Sequence, residues 1–219
     1  MVKLVIFGTG DLARLLSHYV QQEQAYDLIG YTADQQYCLS DNFANKPVIA
    51  YQNLRAHFPD SDFKVLVAVG YQSLRAKASV FEKVKGDGYS LANFISNKAI
   101  VDPTTTIGSN NIVFPGANVE PFVSIGDNNI LWNQSHICHD SHIGSHNFFA
   151  AKALIGGKTT VGNGCFLGFN SSVLQELDVA DETLLGAGGT LVNSSQKHTQ
   201  YLGLPAKAIK SHKPTGITV

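Results

Sequence analysis

The chain has 219 residues, 44% of them hydrophobic, and a formal net charge of -1 from 16 basic and 17 acidic side chains. That length allows one large or two small domains with a real core. Near-neutral charge without a basic tract excludes nucleic acid and anionic membrane surfaces as general partners. No apolar run approaches the length of a membrane span. The opening MVKLVIFGTG is too brief for a signal peptide's apolar region and lacks its cleavage site. Cys38, Cys138 and Cys165 are odd in number and far apart, so reduced thiols and a cytoplasmic location are expected.

VKLVIFG predicts a buried strand, and Leu12, Leu15, Leu16, Tyr19 and Val20 repeat at helical spacing after it. YDLIGYTAD predicts a second strand, Pro47-Val48-Ile49 a short third, and FKVLVAVG a strong buried one. A helix follows around SLRAKASVFEKVK. Strands alternating with helices imply a small Rossmann-like parallel sheet over residues 1–96. Gly8-Thr9-Gly10-Asp11-Leu12-Ala13 leaves a strand and opens a helix, which fits the G-x-G-x-x-G/A fingerprint in its required context. Backbone N–H groups and a helix N-terminus there can meet a phosphate. Asp34 ends the second strand where a ribose-binding carboxylate is expected. The domain is half a dinucleotide fold, which suits a mononucleotide sugar better, although a turn that merely needs its glycines stays open. Gly70-Tyr71 ends the strongest strand, at the edge where open parallel sheets bind ligands. Arg75, one turn later, either reaches a phosphate or lies on a solvated helix face.

Near Ile95–Ala99 the pattern changes to a sixfold repeat, predicting a left-handed parallel β-helix over residues 97–195. Val101, Ile107, Val113, Val119, Ile125, Leu131, Ile137, Ile143, Phe149, Ile155, Val161, Leu167, Val173, Val179, Leu185 and Leu191 keep this register unbroken. A small residue stands four positions after most of them, as at Ala117, Ser135, Ala153 and Ser171. Glycine often comes next after the aliphatic, as at Gly108, Gly126, Gly144 and Gly162, where tight corners are expected to favour it. Three repeats close a coil, so residues about eighteen apart stack. The repeat stops after Leu191, and residues 196–219 are expected to cap the open end, an otherwise unpaired sheet edge.

ILWNQSHICHDSHIGSH holds His136, His139, His142 and His146, half of the 8 histidines. Zinc is the tempting ligand, but His136 and His142 are one repeat apart and therefore on different faces, so no metal is expected. His139-Asp140 offers a near-neutral base beside a carboxylate. Gly157 lies one coil on, where its N–H is placed to donate to a developing oxyanion. Base and donor one coil apart suit acyl transfer; exposed polar corners of a solenoid are the alternative. Cys138 lies beside the base, but a thiol nucleophile needs an activating cation that the sequence does not assure.

The chain resembles the bacterial sugar O-acyltransferase family, which includes sialic-acid O-acetyltransferases and nucleotide-aminosugar N-acetyltransferases. The resemblance runs the whole length, through FGTGD, VAVGYQSLR, LWNQSHICHDSHIG, NGCFLGFNSSV, LGAGGTLV and LGLPAKAI. It implies a homotrimer with acetyl-CoA between neighbouring β-helices and a nucleotide sugar on the N-terminal domain. It makes His139 the general base, Asp140 its acidic neighbour, and Gly157 the N–H that meets the thioester carbonyl. Phe169, Ala187 and Pro205 fall to the acetyl-CoA groove. Gly8, Gly10, Asp11, Asp34, Gly70, Tyr71 and Arg75 fall to the nucleotide sugar. Phe148 replaces a cofactor-contacting histidine of some relatives, and Trp132-Asn133 replaces an Asn-Thr pair, which implies a different sugar pocket. The expected activity is acetyl transfer to the amino group of a nucleotide-linked 4-amino-4,6-dideoxysugar. O-acetylation of a sugar hydroxyl and a non-catalytic nucleotide-sugar-binding protein are the rivals.

Overall fold

The computed structural model describes residues 1–59, 62–70 and 72–218, which form two compact units. The first comprises residues 1–70 and 79–94, and the second comprises 72–78 and 95–218.

In the first unit, β1 (Lys3–Phe7) is an inner strand of a sheet, with α1 (Asp11–Gln22) following it and β2 (Asp27–Ala33) pairing parallel beside it. The hairpin β3 (Asn42–Phe43) and β4 (Lys46–Ala50) extends one side. After α2 (Leu54–His57), β5 (Phe63–Val67) pairs parallel with the other side of β1, and α3 (Leu74–Gly86) follows, its residues 79–86 belonging to this unit and 74–78 to the second. The order is β3-β4-β2-β1-β5. Each helix and strand predicted for this region is present; β3 and the short α2 were not predicted. Its turn holds Ala44 and Asn45 at φ 45° and 62°, a two-residue hairpin without the glycine that usually marks one. Residues with alternating or continuous apolar runs supply the core: Val5, Phe7, Ile49, Tyr51, Leu54, Val65, Val67 and Val84 pack together.

The second unit is the left-handed β-helix. Its two-residue strands stack into three parallel faces. The first face carries Ile100–Val101, Asn118–Val119, His136–Ile137, Leu154–Ile155, Ser172–Val173 and Thr190–Leu191. The second runs from Thr106–Ile107 to Asp178–Val179, and the third from Phe94–Ile95 to Leu184–Leu185. The predicted aliphatics point inward: from Val113 to Leu191 all are buried, and Val101 and Ile107 in the first coil are partly buried. Thr199–Leu202 adds a strand to the third face, and Lys207–Ser211 pairs antiparallel to it. Tyr201 from this segment packs into the coil interior.

Two details depart from the expected packing. Asn111, Asn129 and Asn147 occupy interior corners where a small residue was expected. They form a ladder in which Asn129 N–H donates to Asn111 Oδ1 at 2.9 Å and Asn147 N–H to Asn129 Oδ1 at 2.9 Å. Each also donates to the carbonyl of Gly126, Gly144 or Gly162, so these buried amides are bonded rather than orphaned. The repeat glycines also serve a different purpose. Left-handed φ falls instead on residues such as Asn128, Asp140, Lys158 and Glu176. Gly126 is needed for space, because a Cβ there would stand 2.9 Å from the Gly144 carbonyl oxygen of the next coil.

Ile155 is fully buried at the middle of this column. Ile155→Ala is expected to cost about 2–5 kcal/mol, read as a lower urea midpoint at unchanged slope. An unmoved midpoint would show that the interior is not close-packed.

Candidate active site

His139 sits on the corner that follows His136–Ile137, with its side chain about half exposed. Its Nδ1 lies 2.8 Å from Asp140 Oδ2. The carboxylate can only accept, so Nδ1 carries the proton and, in the neutral imidazole, Nε2 is the free acceptor. Adjacent side chains seldom meet in this way. Here Asp140 has φ 57°, the left-handed setting that short polar residues tolerate, and its carboxylate meets the neighbouring ring.

Gly157 stacks on His139, as the eighteen-residue spacing predicts: Lys158 N–H donates to His139 O at 2.9 Å. A Cβ on Gly157 would stand 2.9 Å from His139 Nε2. The imidazole therefore occupies the space that a side chain at 157 would take. Among the described residues, none accepts a hydrogen bond from the Gly157 N–H.

Glu120 belongs to this corner and was missed from the sequence. Its Oε1 accepts from His136 Nε2 at 2.7 Å, and its Oε2 accepts the His139 backbone N–H at 2.9 Å. The His139 N–H, then the His136 ring, hold its carboxyl below the ordinary carboxylate range. The signal was present: Glu120 is eighteen residues before Cys138 and so stacks under the residue beside His139. Burial, then the Glu120 charge, pushes the Cys138 thiol up, which keeps it protonated and a poor nucleophile.

The four histidines spread over the coil as expected, with His136 on the first face and His142 on the second. Among the described residues, three possible metal donors come together at Glu120, His136 and Cys138, within 4.8 Å of one another. Both oxygens of that carboxylate are already hydrogen-bonded.

The remaining expected site residues are distributed differently. Phe169 and Ala187 lie on the corner leading into the first face, Phe169 with 60% of its surface exposed, whereas His139 and Gly157 lie on the corner leaving it. Pro205 is exposed in the segment after Tyr201. Phe148 requires correction: it is 4% exposed and stacks on Phe166 at 5.1 Å, on the third face, so it offers no surface to a cofactor. Trp132 joins the same aromatic column, 4.4 Å from Phe114 and 5.8 Å from Phe148, and Asn133 donates to Pro115 O. Neither is on the His139 corner.

In the first unit, Gly8 has φ 131°, and a Cβ there would meet Ala68 O at 2.8 Å. That close approach at the ends of β1 and β5 requires glycine. Gly10 precedes α1 as its N-cap, with Asp11 exposed in the first turn. Asp34 is paired with Lys83, whose ammonium also lies 4.5 Å over the Tyr51 ring. Gly70 has open space about it, and Tyr71 lies outside the described residues. Arg75 is a second correction. Its Nε and Nη2 each donate to Glu182 at 2.9 Å, and it also donates to Lys213 O and Pro214 O. The guanidinium clamps the C-terminal segment to a coil corner instead of facing a phosphate.

This architecture is that of the hexapeptide-repeat β-helix. The family model for the bacterial transferase hexapeptide (six repeats) matches residues 104–139 and 122–157. Among solved structures, the chain is similar to PerB from Caulobacter crescentus in complex with CoA and GDP-perosamine. That match has 22% identity and a TM-score of 0.86, and covers 96% of this chain and 98% of that one. The acetyltransferase domain of PglB from Neisseria gonorrhoeae FA1090 matches at 23% identity and TM-score 0.84, over 95% and 100% of the two chains. WeeI from Acinetobacter baumannii AYE matches at 16% and TM-score 0.84, again over 95% and 100%. These likenesses establish the fold. No described helix is long and apolar enough to cross a membrane.

The carboxyls of Asp102, Glu120 and Asp181 are held low mainly by hydrogen bonds. Burial alone would raise Glu182, but Arg75 and His198 more than offset it. A folded state with lowered carboxyl pKa values binds fewer protons than the unfolded chain, so this stability is present above the ordinary range and lost on acidification. The melting temperature is therefore expected to fall as pH drops from about 5 to 3. A flat profile over that range would contradict these pairings.

Proposed function

We propose that this chain transfers acetyl from acetyl-CoA to the amino group of a nucleotide-linked 4-amino-4,6-dideoxysugar. The observation that carries the reading is the His139 ring over Gly157, its Nδ1 tied to Asp140 and its Nε2 left free. As the sugar amine attacks the thioester carbon, a C–N bond forms and Nε2 takes the amine proton. The carbonyl oxygen becomes an oxyanion and accepts from the open Gly157 N–H. Collapse breaks the C–S bond, coenzyme A leaves as thiolate, and the imidazolium gives its proton to that thiolate. Asp140 holds the tautomer that this requires and stabilises the imidazolium. No step uses a metal or a covalent enzyme intermediate, and the protonated Cys138 is no competitor as nucleophile.

Acetyl-CoA is supported by the CoA complex of the Caulobacter protein and the acetyl coenzyme A complex of the Neisseria domain, and the sugar class by GDP-perosamine in the former. The glycine turn at residues 8–13 would receive the nucleotide, with its backbone at the N-terminus of α1. A homotrimer is part of the proposal. It would bring the Phe169 and Ala187 corner of one copy toward the His139 corner of another.

Thiol release against UDP-, dTDP- and GDP-linked 4-amino-sugars, with hydroxyl counterparts beside them, tests reaction and substrate together. His139→Ala is expected to lower kcat by about 10²–10⁴ while acetyl-CoA binding persists by calorimetry; unchanged turnover would sink the assigned base. Gly157→Ala puts a methyl where the ring now lies, and a loss of about 10²-fold in kcat is expected from the displaced base. Loss of activity on exhaustive chelation would refute the metal-free route.

A further inference from the structure

We propose that Glu120 is a positioning residue for His139, which it holds by the backbone while Asp140 holds it by the ring. The inference rests on the acyl-transfer reading and adds a residue to that site.

The two carboxylates act on different degrees of freedom. Asp140, on the same corner, fixes the ring orientation and tautomer through Nδ1. Glu120, one coil earlier, accepts the His139 N–H at 2.9 Å, and so fixes the peptide from which the ring projects. Its other oxygen takes His136 Nε2 at 2.7 Å, which leaves the carboxylate little rotational freedom. A second tie crosses the same gap: Asp140 N–H donates to Pro121 O at 3.1 Å. The base is thus braced against the preceding coil on both sides of its own peptide.

The equivalent position one coil on shows what the brace does. Cys138 stands there in place of Glu120 and supplies no acceptor, and the Gly157 N–H has no protein partner among the described residues. Of the two stacked corner amides, Glu120 closes the one belonging to the base. The amide of Gly157 stays available for an oxyanion. The carboxylate therefore fixes where the base stands, while Cys138 in the equivalent place leaves the next amide open to substrate.

Glu120→Ala and Glu120→Gln separate this role from a structural one, because glutamine keeps a carbonyl acceptor for the His139 N–H. E120A is expected to lose about 10–100-fold in kcat with the acetyl-CoA KM little changed, and E120Q to recover most of that loss. The His139 amide should exchange with solvent slowly in the parent and E120Q and quickly in E120A, by more than any fall in melting temperature accounts for. E120A with parental kcat, E120Q as impaired as E120A, or a His139 amide equally protected in all three would each overturn the proposal. The exchange measurement needs no substrate. A parent chain that releases no thiol with any sugar would sink the acyl-transfer reading, while exchange alone would still decide whether Glu120 braces His139.

Discussion

The strands of the β-helix are two residues long, too short to hold themselves, and each is fixed by hydrogen bonds to the equivalent residues of the neighbouring coils. His136 N–H donates to Ala153 O, Leu154 N–H to Ser171 O, and Ser172 N–H to Gly189 O, and the same ladder repeats on every face. This stacking makes the environment of any residue depend on the residue one coil away. Where the next coil's backbone comes too close, as at Gly126, the Cβ has to go. Where the column is interior, asparagines can bond to one another without leaving an orphaned amide, as Asn111, Asn129 and Asn147 do. Such a ladder is all or nothing, because one broken rung leaves buried donors on both sides.

The chemistry of the candidate site arises from the same constraint. A corner needs one left-handed residue, and aspartate is among the few side chains that accept this at low cost. At Asp140 that backbone setting accompanies the contact between its carboxylate and the preceding imidazole. Stacking then decides what lies under the ring. Glycine at 157 leaves room for the imidazole and exposes an amide, and Glu120 beneath the neighbouring column closes the amide of the base itself. The proposed base, orienting acid, open donor and brace are thus products of a single periodic scaffold and need no inserted loop.

The same regularity governs how much was legible in the sequence. An unbroken sixfold register predicts the coil, its inward residues and the stacking of Gly157 on His139, because those follow from periodicity alone. The register also held the position of Glu120, but a column argument ranks neighbours by spacing and is silent on where a flexible carboxylate turns. Arg75 could not be read, because its partner Glu182 is 107 residues away and belongs to a column of its own. Phe148 was placed by analogy with a histidine in relatives, yet its position on the third face puts it in an aromatic stack with Phe166 and Trp132. Motif position carried the residue, and packing against nonlocal neighbours decided its surroundings. The hairpin at Asn42–Phe43 escaped for a local reason, since Ala44 at positive φ is a poor turn signal.

One feature of the first face bears on how the proposed reaction is completed. His139 leaves about half of its side chain to solvent, and the face beside it carries exposed Ile100 and Leu154, with Phe169 exposed on the corner beyond. A base open to water can activate water as well as an amine, so shielding the thioester would favour transfer over hydrolysis. The lone chain has no inserted loop to do this, because its register is unbroken from Val101 to Leu191. Two covers from outside the chain are part of the proposal: acetyl-CoA itself and a second copy. A copy laid against this face would bury the apolar residues that solvent now meets. Its Phe169 corner would also be brought to the base. In the proposed trimer, the exposed apolar residues and His139 would be covered together.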